Sequence, residues 1–243
     1  MKRIAYRQMY KNELTHGWYL GTRRHLAKTL KQYCRTNAKI LDAGCGTGGT
    51  IKHLRKVGFK NIVGIEKSDI AINYARKRNI SVEKGDINKL PFEKNSFDVV
   101  ICLDVLYHQG VNPSLAIKEF RRVLKKEGLL YLQEPAYNFF KSRHDWAIST
   151  ERRFIKNQIE KILNFAEFKI LKISYFNTIM FMPICIKRLV DKFSKKKETS
   201  SDVSSLNSVL NRLIESSLKF ESSLTKYISL PFGLSIICLA KKN

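Results

Sequence analysis

The chain has 243 residues, 44 % of them hydrophobic and 27 % charged, with a formal net charge of +24. That length holds one α/β domain with a full core plus an elaboration. No apolar run is long enough for a transmembrane helix, and the basic start "MKRIAYRQMYKNELTHGWYLG" lacks the apolar core and small-residue cleavage site of a signal peptide, so a cytoplasmic chain is expected.

In chain order, residues 1–35 read as helical. "KILDAGC" (39–45) reads as a short strand running into a glycine loop, and "GTIKHLRKVG" (49–58) as a helix with a glycine stop. "NIVGIEKS" (61–68) is a second strand ending at Glu66, and "SDIAINYARKRN" (68–79) a helix capped by Ser68 or Asp69. "ISVEKGDI" (80–87) is a third strand ending near Asp86. "SFDVVICLDVLYH" (96–108) is a fourth, apolar enough to be buried on both faces. "NPSLAIKEFRRVLKKEG" (112–128) reads as a capped helix closed by a glycine, and "LLYLQEP" (129–135) as the fifth strand.

Strands alternating with helices predict a parallel, doubly wound sheet with all strand carboxyl ends on one edge. Beyond residue 140 a helix is expected over 151–168, a strand over 169–176, and a long interruption over 177–232. The interruption contains a polar loop at 194–205 and an amphipathic helix at 206–227. A last strand, "LSIICLA" (234–240), closes the chain.

The glycine loop, "ILDAGCGTGGT" (40–50), fits two patterns. Gly44, Gly46 and Gly49 satisfy the dinucleotide spacing G-x-G-x-x-G. Gly44, Gly46 and Gly48 also follow Asp42 in an acid-x-G-x-G-x-G pattern. The strand ends decide between them. Asp42, Glu66, Asp86 and Asp104 put four carboxylates on one edge, and a pyrophosphate fits poorly there. A ligand with an ammonium, a sulfonium, ribose hydroxyls and an adenine amine fits well, because carboxylates accept from each donor. S-adenosylmethionine is such a ligand.

Five segments in this order resemble the class I S-adenosylmethionine-dependent methyltransferases of the UbiE-like, type 11 group. They are "ILDAGCGTG", "IVGIE", "GDINKLPFEKNSFDVVICLDVLYH" (which spans two motifs) and "VLKKEGLLYLQEP". The likeness spans about residues 40–135. It implies a Rossmann-like, seven-stranded, doubly wound sheet with the last strand antiparallel and helices on both faces. It also implies an N-terminal helical cap (1–35), a cofactor-binding core (36–176), a lid and acceptor insertion (177–232) and a final core strand (233–243).

Carried over residue by residue, the resemblance places Asp42, Gly44, Cys45, Gly46 and Gly48 along the methionine portion. Glu66, with Lys67 beside it, falls on the ribose, Asp86 on the adenine amine and Ile87 against the ring. Asp104 and the Leu103 carbonyl fall at the amino acid end, with Tyr107 packing on cofactor or substrate. "HGWYLGTRRHL" (16–26) is similar to an N-terminal H-W-W-F-x-G-R-R signature of one branch, with Gly17 in place of its first aromatic residue.

Methyl transfer needs a general base only when the acceptor carries a proton. His108 and His144 follow strands four and five, and Asp145 could orient His144 or act itself. The Asn/Asp-Pro-Pro-aromatic stretch of nucleobase amino methyltransferases is replaced here by "DVLY". Cys102 lies inside a strand without the proline that precedes a cytosine-attacking cysteine. No acid cluster suggests a metal, and the five cysteines make no C-x-x-C pair. A small-molecule or lipid-like acceptor, methylated at oxygen or at an acidic carbon, is the expectation that remains.

The charge supports two other expectations. Its excess is +8 over 1–35, +6 over 36–140 and +10 over 141–243. Such a field suits nucleic acid, which would make the chain an RNA methyltransferase, or an anionic membrane surface contacted peripherally from the cytoplasm. The apolar "TIMFMPICI" beside Lys187, Arg188 and Lys192 fits the membrane reading, and a core-packed helix with a solvated tail fits the same residues. A cofactor-binding protein without catalysis is the third alternative.

Overall fold

The structure is a computed structural model that describes residues 1–140, 148–186 and 207–243. The N-terminal stretch forms two helices, α1 (Arg3–Asn12) and α2 (Gly17–Tyr33), rather than one continuous element. The break follows from His16, whose extended backbone and imidazole cap α2 by accepting from the Trp18 N–H. The core then runs β1 (Ile40–Ala43), α3 (Gly49–Lys56), β2 (Ile62–Glu66), α4 (Asp69–Arg76), β3 (Val82–Lys84), β4 (Phe97–Leu103), α5 (Pro113–Val123) and β5 (Leu124–Pro135). After it come α6 (Lys156–Phe165), β6 (Phe168–Phe176), α7 (Ser208–Leu224) and β7 (Ser235–Lys242).

The seven strands form one sheet in the order β3-β2-β1-β4-β5-β7-β6, with β1 to β5 parallel and β7 antiparallel to both its neighbours. The expected doubly wound sheet with an antiparallel last strand is therefore present. The strand order reverses beside β1, and a reversal point of this kind opens a crevice at the carboxyl edge. One face is covered by α5 and α6, the other by α2, α3 and α7. Every residue of β1 is buried, as a central parallel strand requires.

Two expected boundaries move. The helix expected to run to Gly128 ends at Val123, because Leu124 is wholly buried and pairs with Phe97 at the start of the strand. Residues 125–128 are an irregular excursion of β5, where its register on β4 shifts and Glu127 is left-handed; a side chain at Gly128 would crowd the Lys125 carbonyl. The fourth strand stops at Leu103, because Asp104 is left-handed at φ 56 and donates its N–H to the Gln133 carbonyl at 2.7 Å.

Gly17 explains its own departure from the aromatic signature. The helices α2 and α7 cross closely there: the Gly17 N–H donates to Asn211 Oδ1 at 2.6 Å, and any side chain would overlap the Asn211 backbone. One turn on, Gly21 packs directly against Leu218. The crossing is pinned by Arg24–Glu215 at 2.7 Å and by His25 Nδ1 to Ser222 Oγ at 3.0 Å. Burial pulls His25 down to about 4, so this contact is made by a neutral imidazole.

Candidate active site at the carboxyl edge of the sheet

Asp42 is the third residue of β1 and is 2 % exposed. Its Oδ2 has no hydrogen-bond partner among the described residues. Burial pushes its carboxyl up to about 7; the Arg23 guanidinium opposes this, and Glu13 and Glu66 add to it. A buried, unpartnered carboxylate is costly unless a cation meets it.

The backbone beyond Asp42 is held by the neighbouring strand, since the N–H groups of Gly44 and Cys45 both donate to the Ile65 carbonyl. Gly44 sits at φ +81, where a side chain would strike Val105 at 2.6 Å, and Gly46 sits at φ +54. The Gly46 N–H donates to Glu66 Oε2 at 3.0 Å, and the Ser68 N–H donates to Glu66 Oε1 at 2.9 Å. Glu66 therefore sets the loop, with the Lys67 backbone as a third donor, and about one of its four acceptor positions is left for another partner. Gly48 precedes α3. Cys45 is buried and its thiol is pushed well up by burial, so it packs rather than reacts.

The remaining strand ends line the same edge. Asp104, past β4, accepts from Gln133 Nε2 at 2.9 Å and is raised to about 7 by burial, against Gln133 and Arg153. Leu103, the last residue of β4, is partly buried beside it. Asp86 accepts from Lys67 Nζ at 2.7 Å and from the Asn88 N–H at 2.8 Å. Partial burial pushes its carboxyl up, but Lys67 and Asn88 outweigh that and hold it below the usual range. Ile87 and Tyr107 are buried in the core under this edge.

His108 is partly buried against the Tyr107 ring, 4.1 Å away between centroids, and its Nδ1 has no partner among the described residues. Burial draws it down to about 4, so it is a neutral imidazole. Cys102 is fully buried and its thiol is pushed well up by burial. His144 and Asp145 lie outside the described residues, as does the 194–205 loop.

Sequence reading missed two parts of this site. The first is Glu134, next to last in β5, at the same sheet edge as Asp42, Glu66 and Asp104. It is 1 % exposed, and its Oε1 accepts from the N–H groups of Val105 at 3.2 Å and Leu106 at 2.9 Å. Burial, and then Asp104, push its carboxyl well up. Glu134 therefore anchors the segment after β4. Glu134→Ala should cost about 2–4 kcal/mol, since two buried N–H groups lose their acceptor, while Glu134→Gln keeps an oxygen there and should cost about 1 kcal/mol or less. Thermal melts of both variants check this.

The second is the set of contacts through which the N-terminal helices engage the glycine loop. Met9 on α1 reaches over Gly46, where its methyl would lie 2.8 Å from an added Cβ. Tyr10 stacks on Tyr74 of α4 at 4.7 Å. Glu13, wholly buried, binds Arg23 through one carboxylate oxygen and both Thr47 of the glycine loop and Arg78 through the other. Arg78 also donates to the Thr47 carbonyl at 2.9 Å and the Tyr10 carbonyl at 2.6 Å. Glu13 is the one acid among nine bases in residues 1–35, which was the available signal.

S-adenosylmethionine fits this set of groups. Asp42 and Asp104 suit an ammonium, the remaining acceptor capacity of Glu66 suits a ribose hydroxyl, and Asp86 beside apolar Ile87 suits an adenine.

Comparison with known proteins shows the family and the fold. A family model described as a methyltransferase domain matches residues 35–177, more than half of the chain. A sterol 24-C-methyltransferase of Schizosaccharomyces pombe is 36 % identical over 110 residues, covering 41 % of this chain and 28 % of that protein. The chain spans 28 % of the length of that sterol enzyme and 61 % of that of a Methanocaldococcus jannaschii relative, less than two thirds of either. A SAM-dependent methyltransferase of Thermotoga maritima superposes with a TM-score of 0.62 at 18 % identity, covering 100 % of both chains. A geranyl diphosphate C-methyltransferase of Streptomyces coelicolor, solved with Mg2+, geranyl diphosphate and S-adenosyl-L-homocysteine, gives a TM-score of 0.57 at 14 % identity, covering 90 % of this chain and 78 % of that one.

Proposed function

Because the chain belongs to the methyltransferase domain family and S-adenosylmethionine is its cofactor, we propose that it moves the cofactor's methyl group onto a lipid-like or other small acceptor, at an oxygen or an acidic carbon. When bound, the cofactor supplies an electrophilic methyl on a sulfonium, which is displaced in line. Asp42 and Asp104 hold the ammonium end, Glu66 the ribose and Asp86 the adenine amine. Met9 and Tyr10 of α1 keep water from the loop, and Glu134 fixes the segment that carries Asp104.

The observation that carries the acceptor class is an aromatic wall on the same edge. Tyr137, just past β5, stacks on Tyr175 at 5.2 Å and on Phe139 at 5.2 Å, and meets Phe181 edge-on at 5.8 Å; Phe181 in turn meets Phe232 at 5.2 Å. Such a wall suits an apolar acceptor better than a phosphate-rich polymer. For a hydroxyl acceptor, the neutral His108 offers Nδ1 as the proton acceptor. The sterol and geranyl diphosphate enzymes named above act at carbon, which supports a carbon acceptor as the second form of the same reading.

Methyl-labelled S-adenosylmethionine offered with detergent-solubilised lipid, polar metabolite or RNA fractions tests the reading. Label should enter the lipid or metabolite fraction. Label confined to RNA would mean that the charge, not the aromatic wall, selects the acceptor. No transfer to any fraction would leave a cofactor-binding protein without catalysis.

A further inference from the structure

We propose that the outward face of α7, together with the segment after β6, docks on an anionic lipid bilayer and so brings the acceptor edge of the sheet to the membrane surface. The observation is a helix with two unlike faces turned away from the protein. Val209, Leu213 and Phe220 fall at i, i+4 and i+11, on one stripe, and are 57 % to 63 % exposed. Tyr227, in the turn that follows α7, is 79 % exposed. Arg212 and Lys219 lie seven residues apart on an adjoining exposed strip, and Lys226 continues it.

Both carboxylates of α7 are turned inward. Glu215 pairs with Arg24, and Glu221, 1 % exposed, accepts from the N–H groups of Thr178 at 2.9 Å and Ile179 at 2.7 Å. The outward face of α7 therefore carries cations, apolar groups and the neutral hydroxyls of Ser216 and Ser223, and no carboxylate. A face of that composition complements anionic head groups with an acyl boundary beneath them. An apolar group of this extent on a soluble surface marks an interaction site.

The Glu221 contacts also fix what lies beside the helix. They hold the start of the segment after β6, whose Ile179, Met182 and Ile186 are 44 % to 57 % exposed. That segment leaves β6 at Phe176, and β7 begins at Ser235 opposite Pro135, the last residue of β5. The patch thus borders the edge that carries Asp104 and the aromatic wall. Among the described residues no helix is long and apolar enough to cross a membrane, so the contact is peripheral. The inference rests on the lipid-like acceptor reading for its purpose, but its observations are independent of that reading.

Flotation of the full chain with phosphatidylcholine vesicles, with and without phosphatidylglycerol, is the test. The chain should float with the phosphatidylglycerol vesicles at low salt and stay behind with the neutral ones. Phe220→Glu and, separately, Arg212→Glu with Lys219→Glu should each weaken flotation roughly tenfold or more. Their melting curves should match wild type, because these side chains are exposed.

Absence of flotation with anionic vesicles, equal flotation with both kinds, or undiminished flotation of Phe220→Glu would overturn the proposal. So would sizing that shows a dimer which Phe220→Glu turns into a monomer, since a second copy would then cover the face. Label transfer to detergent-solubilised lipid is read in parallel. It should be unchanged in Phe220→Glu, and its loss in the wild type would count against the acceptor reading while leaving flotation to judge the docking.

Discussion

Asp42→Asn should weaken S-adenosylmethionine binding roughly 100-fold or more without lowering the melting temperature of the cofactor-free chain. The two halves of this expectation come from one fact. Asp42 is buried with an unpartnered oxygen, so in the free chain its charge is a burden, and burial holds its carboxyl at about 7. In the function proposed above, that charge faces the cofactor's ammonium. Removing one member of a buried charge pair costs about 2–5 kcal/mol of binding, which is the origin of the fold-change.

The pH dependence follows with its sign. A carboxyl raised from 3.8 to about 7 in the folded chain takes up a proton that the unfolded chain does not hold between those values. The cofactor-free chain should therefore lose stability as pH rises from about 4 to 7. Cofactor affinity should do the opposite, rising toward pH 8 as Asp42 ionises. The gain is at most about tenfold per pH unit from this group, and steeper where Asp104, also near 7, ionises with it. Calorimetric titrations at pH 6, 7 and 8 check the slope; a flat profile, or a melting loss in Asp42→Asn, would mean that Asp42 is structural.

Glu13→Ala should destabilise the fold by about 3–5 kcal/mol, because it leaves the guanidinium groups of Arg23 and Arg78 buried without their carboxylate. Both arginine side chains are 4 % exposed and Glu13's is 1 % exposed, so water offers little replacement. At roughly 2–4 °C per kcal/mol for a chain of this size, the melting temperature should fall on the order of 10 °C. Glu13→Gln, which keeps an acceptor but not the charge, should fall between. Since Glu13 joins the α1–α2 connection to Thr47 of the glycine loop, cofactor affinity should drop in the same variant. A shift within 1–2 °C would show that α1 is held by its other contacts.

Much of the core was legible because its signals are local. β1 is an apolar run that ends in the glycine loop, and β2 and the last two strands lie within two residues of their expected bounds. The strand-end rule found Asp42, Glu66, Asp86 and Asp104 because a parallel sheet sends every carboxyl end to one edge. The same rule extends to Glu134 near the end of β5, whose carboxylate binds the backbone N–H groups of Val105 and Leu106.

What was not legible depends on partners far along the chain. The Glu13 cluster joins residues 13, 23, 47 and 78, and no local periodicity announces it. Gly17 read as a departure from a signature, and its reason is the backbone of Asn211, 194 residues away. The end of α5 at Val123 was misplaced because Gly128 looks like a helix stop, whereas the buried Leu124 had already begun the pairing with Phe97.

The most direct test of the account is equilibrium binding of S-adenosylmethionine and of NAD to the purified chain, each titrated calorimetrically at pH 8. The account predicts one saturable site for S-adenosylmethionine, lost in Asp42→Asn, and none for NAD. Binding of NAD without S-adenosylmethionine would contradict it, and would mean that the glycine loop cradles a pyrophosphate after all.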